Sequence, residues 1–167
     1  MMIRVSITIV AVLSIMATAA IFGSQGVFAT TEMYSAQLDG QQEVPVVQTT
    51  ANGTAQLSIP HLSSVTYSLN VSGLDRVTAA HIHNGLPGEN GPIVVTLFKA
   101  DQPTGSVDGI LAEGNITDAN LEGPMQGKTI DNLANAMVEG QTYINVHTQQ
   151  NQNGEIRGQI TSAGGAQ

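Results

Sequence analysis

Short runs in which apolar and polar residues alternate are the feature that most constrains this chain. Between residues 53 and 59, for example, Ala55, Leu57 and Ile59 alternate with polar residues, as in a β-strand with one buried face. Gly, Pro, Asn and Asp separate the runs and favour turns. The predicted strands cover 33–38, 53–59, 64–71, a run around His81, 93–98, 109–116, 142–147 and 155–160. The pattern therefore predicts an all-β protein, either an antiparallel sandwich or a flattened barrel.

One segment follows a helical period instead. Between Thr129 and Glu139 the apolar residues recur every three or four positions, and Gly140 stands at the position where a glycine often caps the C-terminus of a helix. This spacing predicts one short helix in a connection between strands. A turn is predicted at residues 72–75, where Ser, Gly and Asp occur together.

The last two strands are predicted to form a hairpin. Asn153-Gly154 is a dipeptide that favours a tight turn between antiparallel strands. In this hairpin Ile156 and Ile160 are expected to face the core, while Arg157 faces away from it.

The first 29 residues have the composition of an export signal. Arg4 gives a positive start, a nearly unbroken apolar run follows it, and Val27 and Ala29 are small residues that signal peptidase accepts. The protein is therefore predicted to be secreted or to lie in the cell envelope. The alternative is an uncleaved membrane anchor, because the apolar run approaches the roughly 20 residues that span a bilayer. The predicted boundaries are 1–29 for the signal peptide, 30–162 for one domain and 163–167 for a C-terminal tail.

The chain is acidic and contains no cysteine. It has 13 Asp and Glu against 5 Lys and Arg, and among these the signal segment contains only Arg4. The absence of a basic patch interleaved with aromatic residues argues against a nucleic-acid partner. Without cysteine the fold has no disulfides and no thiolate ligands, so His, Asp, Glu and Met are the ligand types that remain.

Two of the four histidines stand one residue apart. In an extended strand His81 and His83 project to one face, while Ala80 and Ile82 project to the other. Two adjacent imidazoles on one strand can bind copper, zinc, iron or nickel. The plainer interpretation is that they hydrogen-bond the glycine-rich loop that follows them.

A third histidine ends another alternating run. The alternation places Tyr143, Asn145 and His147 on one face of their strand. His147 is the candidate third ligand if the fold brings the two strands together, and otherwise it is a structural residue at a strand end. The fourth histidine, His61, follows Pro60 and is expected to be a solvated turn residue.

Three neutral imidazoles with an open position suit copper, or alternatively zinc that activates water. Asn145 or Glu155 is expected to hydrogen-bond a ligand histidine and to fix its tautomer.

Three groups of residues together resemble the chordin-type (CHRD) domain family. They are Tyr34-Ser35-Ala36-Gln37-Leu38 with Glu43-Val44-Pro45, then Ala80-His81-Ile82-His83-Asn84-Gly85, and then Tyr143-Ile144-Asn145-Val146-His147-Thr148 with Gly154-Glu155-Ile156-Arg157-Gly158. The resemblance spans about residues 32–161. It implies an immunoglobulin-like Greek-key sandwich or barrel. The family takes its name from repeats in an animal growth-factor inhibitor, which implies an extracellular protein partner.

That family is in turn similar to the barrel of copper-zinc superoxide dismutases, and this second resemblance implies roles for single residues. His81 and His83 match the dismutase copper pair, and His147 matches its later copper ligand. Arg157 matches the arginine that guides superoxide to the metal. The chain lacks the metal-bridging histidine, the zinc-ligand cluster and the cysteine pair of those enzymes.

Two functional hypotheses follow. The first is an exported protein that binds a transition metal, copper or alternatively zinc, through His81, His83 and His147, with superoxide dismutase-like activity as a further expectation. The second is a non-catalytic extracellular adhesion or protein-binding module. The expected partners are a metal ion and, for the second hypothesis, a protein. A membrane is involved only if the N-terminal segment stays uncleaved.

Overall fold

The chain folds mainly into antiparallel strands. The computed structural model describes residues 31–61 and 64–164. The predicted signal segment, 1–29, lies outside these ranges, as do residues 165–167 of the predicted tail. Within the described ranges no helix has the length and apolar character needed to cross a membrane. The strands and the α-helix are β1 Glu32–Asp39, β2 Asn52–His61, β3 Ser64–Asp75, β4 Val77–Asn84, β5 Ile93–Lys99, β6 Ser106–Ile116, α1 Ile130–Val138, β7 Thr142–Thr148, β8 Ile156–Gln159 and β9 Thr161–Ser162, and short 3-10 turns lie at Gly40–Gln42, Asp118–Asn120 and Gly123–Met125.

The described strands form one sheet that curls into a nearly closed barrel. Neighbouring strands lie in the order β5, β4, β7, β8, β1, β2, β3, β6, and the short β9 pairs with β1. Every pair is antiparallel. The predicted all-β antiparallel fold is therefore confirmed in its barrel form, with α1 in the connection between β6 and β7.

The barrel is incomplete between β5 and β6, the two strands at the ends of the strand order. The segment after β6 narrows this gap, because Leu121 forms an isolated bridge with Val95 on β5. From β3, the Tyr67 hydroxyl donates a hydrogen bond to the Leu97 carbonyl at 2.8 Å. The segment after β6 and the Tyr67 side chain thus provide hydrogen-bond partners for some of the backbone groups on the β5 edge that no strand covers.

The two faces of β4 and β7 have different surroundings. Ala80, Ile82, Ile144 and Val146 are 0% exposed and belong to the hydrophobic core inside the barrel. Because side chains alternate across a strand, the residues between them project from the outer face. The predicted metal ligands are among these outward residues.

Helix α1 lies where the sequence pattern predicts a helix. Its first turn is capped by Asn132, whose Oδ1 accepts a hydrogen bond from the Thr129 backbone N–H at 3.2 Å. Gly140 follows the helix with a φ of 65°, which suits a residue without a side chain. Ile130, Leu133 and other apolar residues of α1 are buried against the barrel core, so the predicted helix is confirmed.

The turn predicted at residues 72–75 is wrong. Strand β3 continues to Asp75, and its pairing with β6 shifts register between Val71 and Leu74. Gly73 has a φ of 71° within the strand, so this glycine marks a bulge instead of a turn. The chain leaves β3 one residue later, at Arg76, whose φ is 52°.

We expect Tyr67→Phe to lower the free energy of unfolding by about 1 kcal/mol, because it removes the hydrogen bond that spans the open side of the barrel. Urea denaturation followed by circular dichroism measures this change. Tyr34→Phe is the matched control, since the Tyr34 hydroxyl bonds the carboxylate of Glu32, an exposed residue on its own strand. Equal losses of unfolding free energy in the two variants would contradict a stabilising role for the Tyr67 hydrogen bond across the open side of the barrel.

Candidate metal centre

Pairing between β4 and β7 brings the three predicted ligands to one patch of the outer face. In this register His81 lies directly opposite Asn145. His147 lies opposite Ala79, two residues before His81, so the two imidazoles are diagonal neighbours across the strand pair. The two strands that sequence spacing alone could not place together are therefore adjacent.

The three imidazoles form a compact cluster. The ring centroids of His81 and His147 are 4.9 Å apart, those of His81 and His83 are 5.7 Å apart, and those of His83 and His147 are 5.9 Å apart. One ring nitrogen of each residue lies within 4.8 Å of the others. His83 is buried, and the other two are partly buried.

Backbone carbonyls fix the tautomers of two of these rings. Nδ1 of His83 lies 2.9 Å from the Gly91 carbonyl, and Nδ1 of His147 lies 2.9 Å from the Gln152 carbonyl. A carbonyl oxygen only accepts, so each Nδ1 carries the proton and each Nε2 keeps its lone pair. Both Nε2 atoms, together with Nδ1 of His81, are buried and have no hydrogen-bond partner among residues 31–61 and 64–164. Each histidine thus offers one unpartnered nitrogen.

Burial keeps the three imidazoles neutral. It lowers the pKa of His81 to about 4, and the neighbouring His147, His83 and Lys99 add to the effect. Burial also lowers the pKa of His83 and of His147, although a hydrogen bond to a backbone carbonyl opposes it in each case. Neutral imidazole is the form that binds a metal ion, so the cluster is in its ligand form at pH 7.

The donor set fits a transition metal bound by nitrogen. Three nitrogens at roughly 2.0–2.1 Å from one ion lie about 3.3–3.6 Å apart, whereas the cluster's atoms fall within 4.8 Å of one another. Binding one ion would therefore require the rings to move closer together. Neutral imidazoles suit both copper and zinc.

Three loops cover the outer face around the histidines. The β4–β5 loop supplies the Gly91 carbonyl, the β7–β8 loop supplies the Gln152 carbonyl, and the β1–β2 loop supplies Glu43, which is 5% exposed. The Asn90 side chain donates to the Val44 carbonyl at 2.7 Å and joins the first of these loops to the third. Together they enclose what we call the outer polar layer, composed of Glu43, His81, His83, Tyr143, Asn145, His147 and Arg157.

Arg157 is 1% exposed. Its guanidinium donates to the Leu86 carbonyl at 3.0 Å and to Asn90 Oδ1 at 3.4 Å, and its Cζ lies 3.5 Å from the centre of the Tyr143 ring. Arg157 faces away from the barrel core as predicted, but loops cover it. This position differs from the solvent-facing one that an anion guide requires.

Asn145 and Glu155, which were expected to orient a ligand histidine, have other partners. The Asn145 side chain donates to Glu43 Oε2 at 3.3 Å. Glu155 accepts hydrogen bonds from the hydroxyls of Thr49 at 2.9 Å and Thr148 at 2.7 Å. Within the described part of the chain, backbone carbonyls orient two of the histidines, His83 and His147, instead.

Sequence reasoning assigned no role to two residues of the outer polar layer. Tyr143 stacks on His83, with ring centroids 4.9 Å apart and planes inclined by 9°. The strand alternation already predicts that Tyr143 lies on the same face as His147. An aromatic residue on the face of the candidate ligands was therefore the sequence signal that could have indicated its role. Glu43 stands in a polar stretch after β1, and no local pattern indicates that this loop folds back over β7.

Glu43 and Asn145 form a buried pair in which two oxygens lack hydrogen-bond partners in the part of the chain that the structure describes. These are Oε1 of Glu43 and Oδ1 of Asn145. Burial raises the pKa of Glu43 to about 7, against the opposing effects of the Arg157 charge and of hydrogen bonds from Asn145 and at Val44. A protonated Glu43 can donate from Oε1 to Asn145 Oδ1 while its other oxygen accepts from the amide, which satisfies both atoms.

We expect the stability that Glu43 contributes to be present below pH 4.5 and to be lost as the pH rises through about 7, because its folded-state pKa is raised. The loss is at most about 3 kcal/mol, since one pKa unit corresponds to about 1.36 kcal/mol. Glu43→Gln keeps a donor for Asn145 and removes the titration. Its unfolding free energy in urea should therefore fall less than that of the wild type between about pH 5 and about pH 8.

The histidines affect both proteins in the opposite direction. The lowered pKa of His81 means that its contribution is present above pH 6.5 and is lost as the pH falls toward about 4. This acid loss should be common to the wild type and Glu43→Gln. Parallel curves for the two proteins over the whole range would contradict the protonation of Glu43.

Comparison with known proteins places the chain in a family. Residues 34–160 match the CHRD domain. The chain is also 31% identical over 143 residues to the protein Chordin of Xenopus laevis, an alignment that covers 81% of this chain and 14% of that protein. No solved structure matches. The matched residues include β4 and β7, which carry the three histidines, and the family predicted from the motifs is confirmed. The chain belongs to the CHRD domain family.

Proposed function

We propose that this CHRD domain is exported and binds one transition-metal ion through His81, His83 and His147, with copper as the first candidate and zinc as the alternative. The observation that carries the proposal is the set of three buried ring nitrogens, one on each histidine, that have no hydrogen-bond partner among the described residues. The proposed export rests on the composition of residues 1–29.

Unpartnered buried nitrogens are costly to a folded protein. Each costs about 1–3 kcal/mol when nothing replaces its bond to water, and here three occur in one cluster. One bound ion would satisfy all three lone pairs together. A purely structural role for His83 and His147 would be complete with their carbonyl hydrogen bonds, and it leaves the convergence of the remaining nitrogens without an explanation.

The donor chemistry favours copper. The affinity of a nitrogen site for divalent ions of the first transition series rises to copper and falls again at zinc. The chain carries a net charge of −8, which attracts cations to its surface. Bound copper would supply one-electron redox chemistry, whereas bound zinc would act only as a Lewis acid.

Copper and zinc titrations followed by calorimetry test this proposal. We expect one ion per chain and a higher melting temperature after loading, because an ion that binds only the folded state stabilises it. His83→Gln and His147→Gln each remove a ligand. Each should therefore weaken copper binding by more than the roughly 10- to 100-fold cost of losing a group that merely orients a ligand.

His61→Gln is the matched control. His61 ends β2, in the hairpin with β3, and in the strand order β8 and β1 separate β2 from β7. This variant should bind copper as the wild type does. Equal copper affinity in all three variants, or a melting temperature that copper leaves unchanged, would refute the metal proposal.

Superoxide dismutase-like activity stays a prediction. It needs a route by which the anion reaches the metal, and the buried guanidinium of Arg157 offers no exposed positive group for that route. If the prediction holds, copper-loaded wild-type protein removes superoxide in a spectrophotometric assay and loaded His147→Gln does not. Fully loaded wild-type protein without activity would remove the enzyme hypothesis and leave metal binding intact.

A second candidate function is an extracellular protein-binding module. The 31% identity to Chordin favours it, but the chain covers 14% of that protein, so the partner itself is not carried over. This module needs no ion. Protein from its native envelope that lacks metal, together with an unchanged fold after loss of all three histidines, would favour it over the metal proposal.

A further inference from the structure

The ring of Tyr143 stands between a cation and a candidate ligand. Strand β7 carries Tyr143 and is flanked by β4, which carries His83, and by β8, which carries Arg157. The Tyr143 ring is stacked on the His83 ring at 4.9 Å, and the Arg157 Cζ lies 3.5 Å from its centre. Because β4 and β8 are on opposite sides of β7, the three groups form a column in the order Arg157, Tyr143, His83.

A second connection joins Tyr143 to His83 through Gly91. The Gly91 backbone N–H donates to the Tyr143 hydroxyl oxygen at 3.1 Å, and Nδ1 of His83 donates to the Gly91 carbonyl at 2.9 Å. No side chain fits at Gly91, because a Cβ there would overlap the Asn84 carbonyl oxygen. Because Gly91 has no side chain, its backbone fits close to both Tyr143 and His83 and hydrogen-bonds each of them.

Arg157 packs on the side of the Tyr143 ring that faces away from His83. Its hydrogen bonds go to Leu86 and Asn90, which lie in the same loop as Gly91. Within residues 31–61 and 64–164, the one ion pair joins Arg76 to Asp75. A carbonyl, an amide oxygen and an aromatic face thus hold the buried guanidinium in place of a contacting carboxylate.

We propose that Tyr143 is a positioning residue for His83 and that Arg157 holds Tyr143 in this role. The stacked ring fixes the plane of the imidazole. The hydroxyl accepts from the Gly91 N–H and so helps to fix the backbone on the amino side of Gly91, whose carbonyl selects the Nδ1–H tautomer of His83 and leaves the Nε2 lone pair free. That His83 is a metal ligand rests on the proposed function, whereas its fixed tautomer does not.

Such an arrangement orients His83 before an ion arrives. A ligand that is already held in one plane and one tautomer loses little freedom on binding, so affinity rises without any new contact to the ion. Arg157 acts here through Tyr143 and needs no access to solvent, in agreement with its 1% exposure.

The first arm of the test uses metal-free protein. Nitrogen chemical shifts measured by NMR at about pH 8, where burial keeps the imidazoles neutral, report the tautomer of His83. The wild type should show the Nδ1–H form alone. Tyr143→Leu loses both ring and hydroxyl and should show a mixture of tautomers. Tyr143→Phe keeps the stacked ring, and its Nδ1 proton should exchange with solvent roughly 2- to 10-fold faster, the equivalent of one hydrogen bond.

The second arm measures copper affinity. Tyr143→Leu should weaken it roughly 10- to 100-fold, the usual effect of removing a group that orients a ligand. Tyr143→Phe and Arg157→Lys should weaken it roughly 2- to 10-fold, because each removes part of the support. Lysine retains the charge but not the planar group that stacks on the ring. Tyr67→Phe is the matched control, since it removes a tyrosine hydroxyl at the open side of the barrel. It should change neither the tautomer of His83 nor the copper affinity.

A folded Tyr143→Leu protein in which His83 keeps a single tautomer would overturn the proposal, and so would equal tautomer mixing in Tyr67→Phe. If Tyr143→Leu does not fold, Tyr143→Phe decides, and an unchanged exchange rate of the His83 Nδ1 proton overturns the proposal. Failure of the proposed function gives a different result. In that case no variant and no wild-type protein binds copper, while the tautomer changes in the metal-free arm remain.

Discussion

The antiparallel pairing of β4 with β7 is the interaction on which the site depends. Ile82 and Ile144 lie opposite each other on the inner face and are 0% exposed. A slip of one residue would move such side chains to the outer face and would send the histidines into the core. The free energy of apolar burial therefore sets the register, and the register sets the positions of His81, His83 and His147. The hydrophobic core and the candidate metal centre are two consequences of one strand pairing.

The wall of the barrel separates two buried layers with different chemistry. The inner layer is held by contacts among apolar side chains, which have no directional requirement. The outer polar layer contains ionisable groups, which are stable away from water only with specific partners. Loops supply many of these partners, including the carbonyls of Gly91, Gln152 and Leu86. The conformations of the loops and the orientations of the buried side chains thus depend on each other.

The sequence predicted the features that depend only on local periodicity. Alternation predicted the strands, their inner and outer faces and the shared face of Tyr143 and His147, because a strand has the same period wherever it lies. It did not predict that Gly73 forms a bulge, since a glycine with positive φ suits a turn equally well. Nor did it predict the burial of Glu43 and Arg157, which arises when loops from three parts of the chain meet over one face. The role expected of Arg157 came from the resemblance to superoxide dismutases, and those of Asn145 and Glu155 came from nearness to His147 in sequence. The observed partners of all three residues are set by packing.

The positions of the three histidines on adjacent strands have a mechanical consequence. Residues 83 and 147 are roughly 60 positions apart in the chain, yet they lie side by side on the barrel. Under the proposed function, an ion held between them would act as a cross-link that closes a long loop, and constraints of that kind reduce the entropy of the unfolded chain. A protein without cysteine would thereby gain, through coordination bonds, the reinforcement that many exported domains obtain by oxidation of thiols.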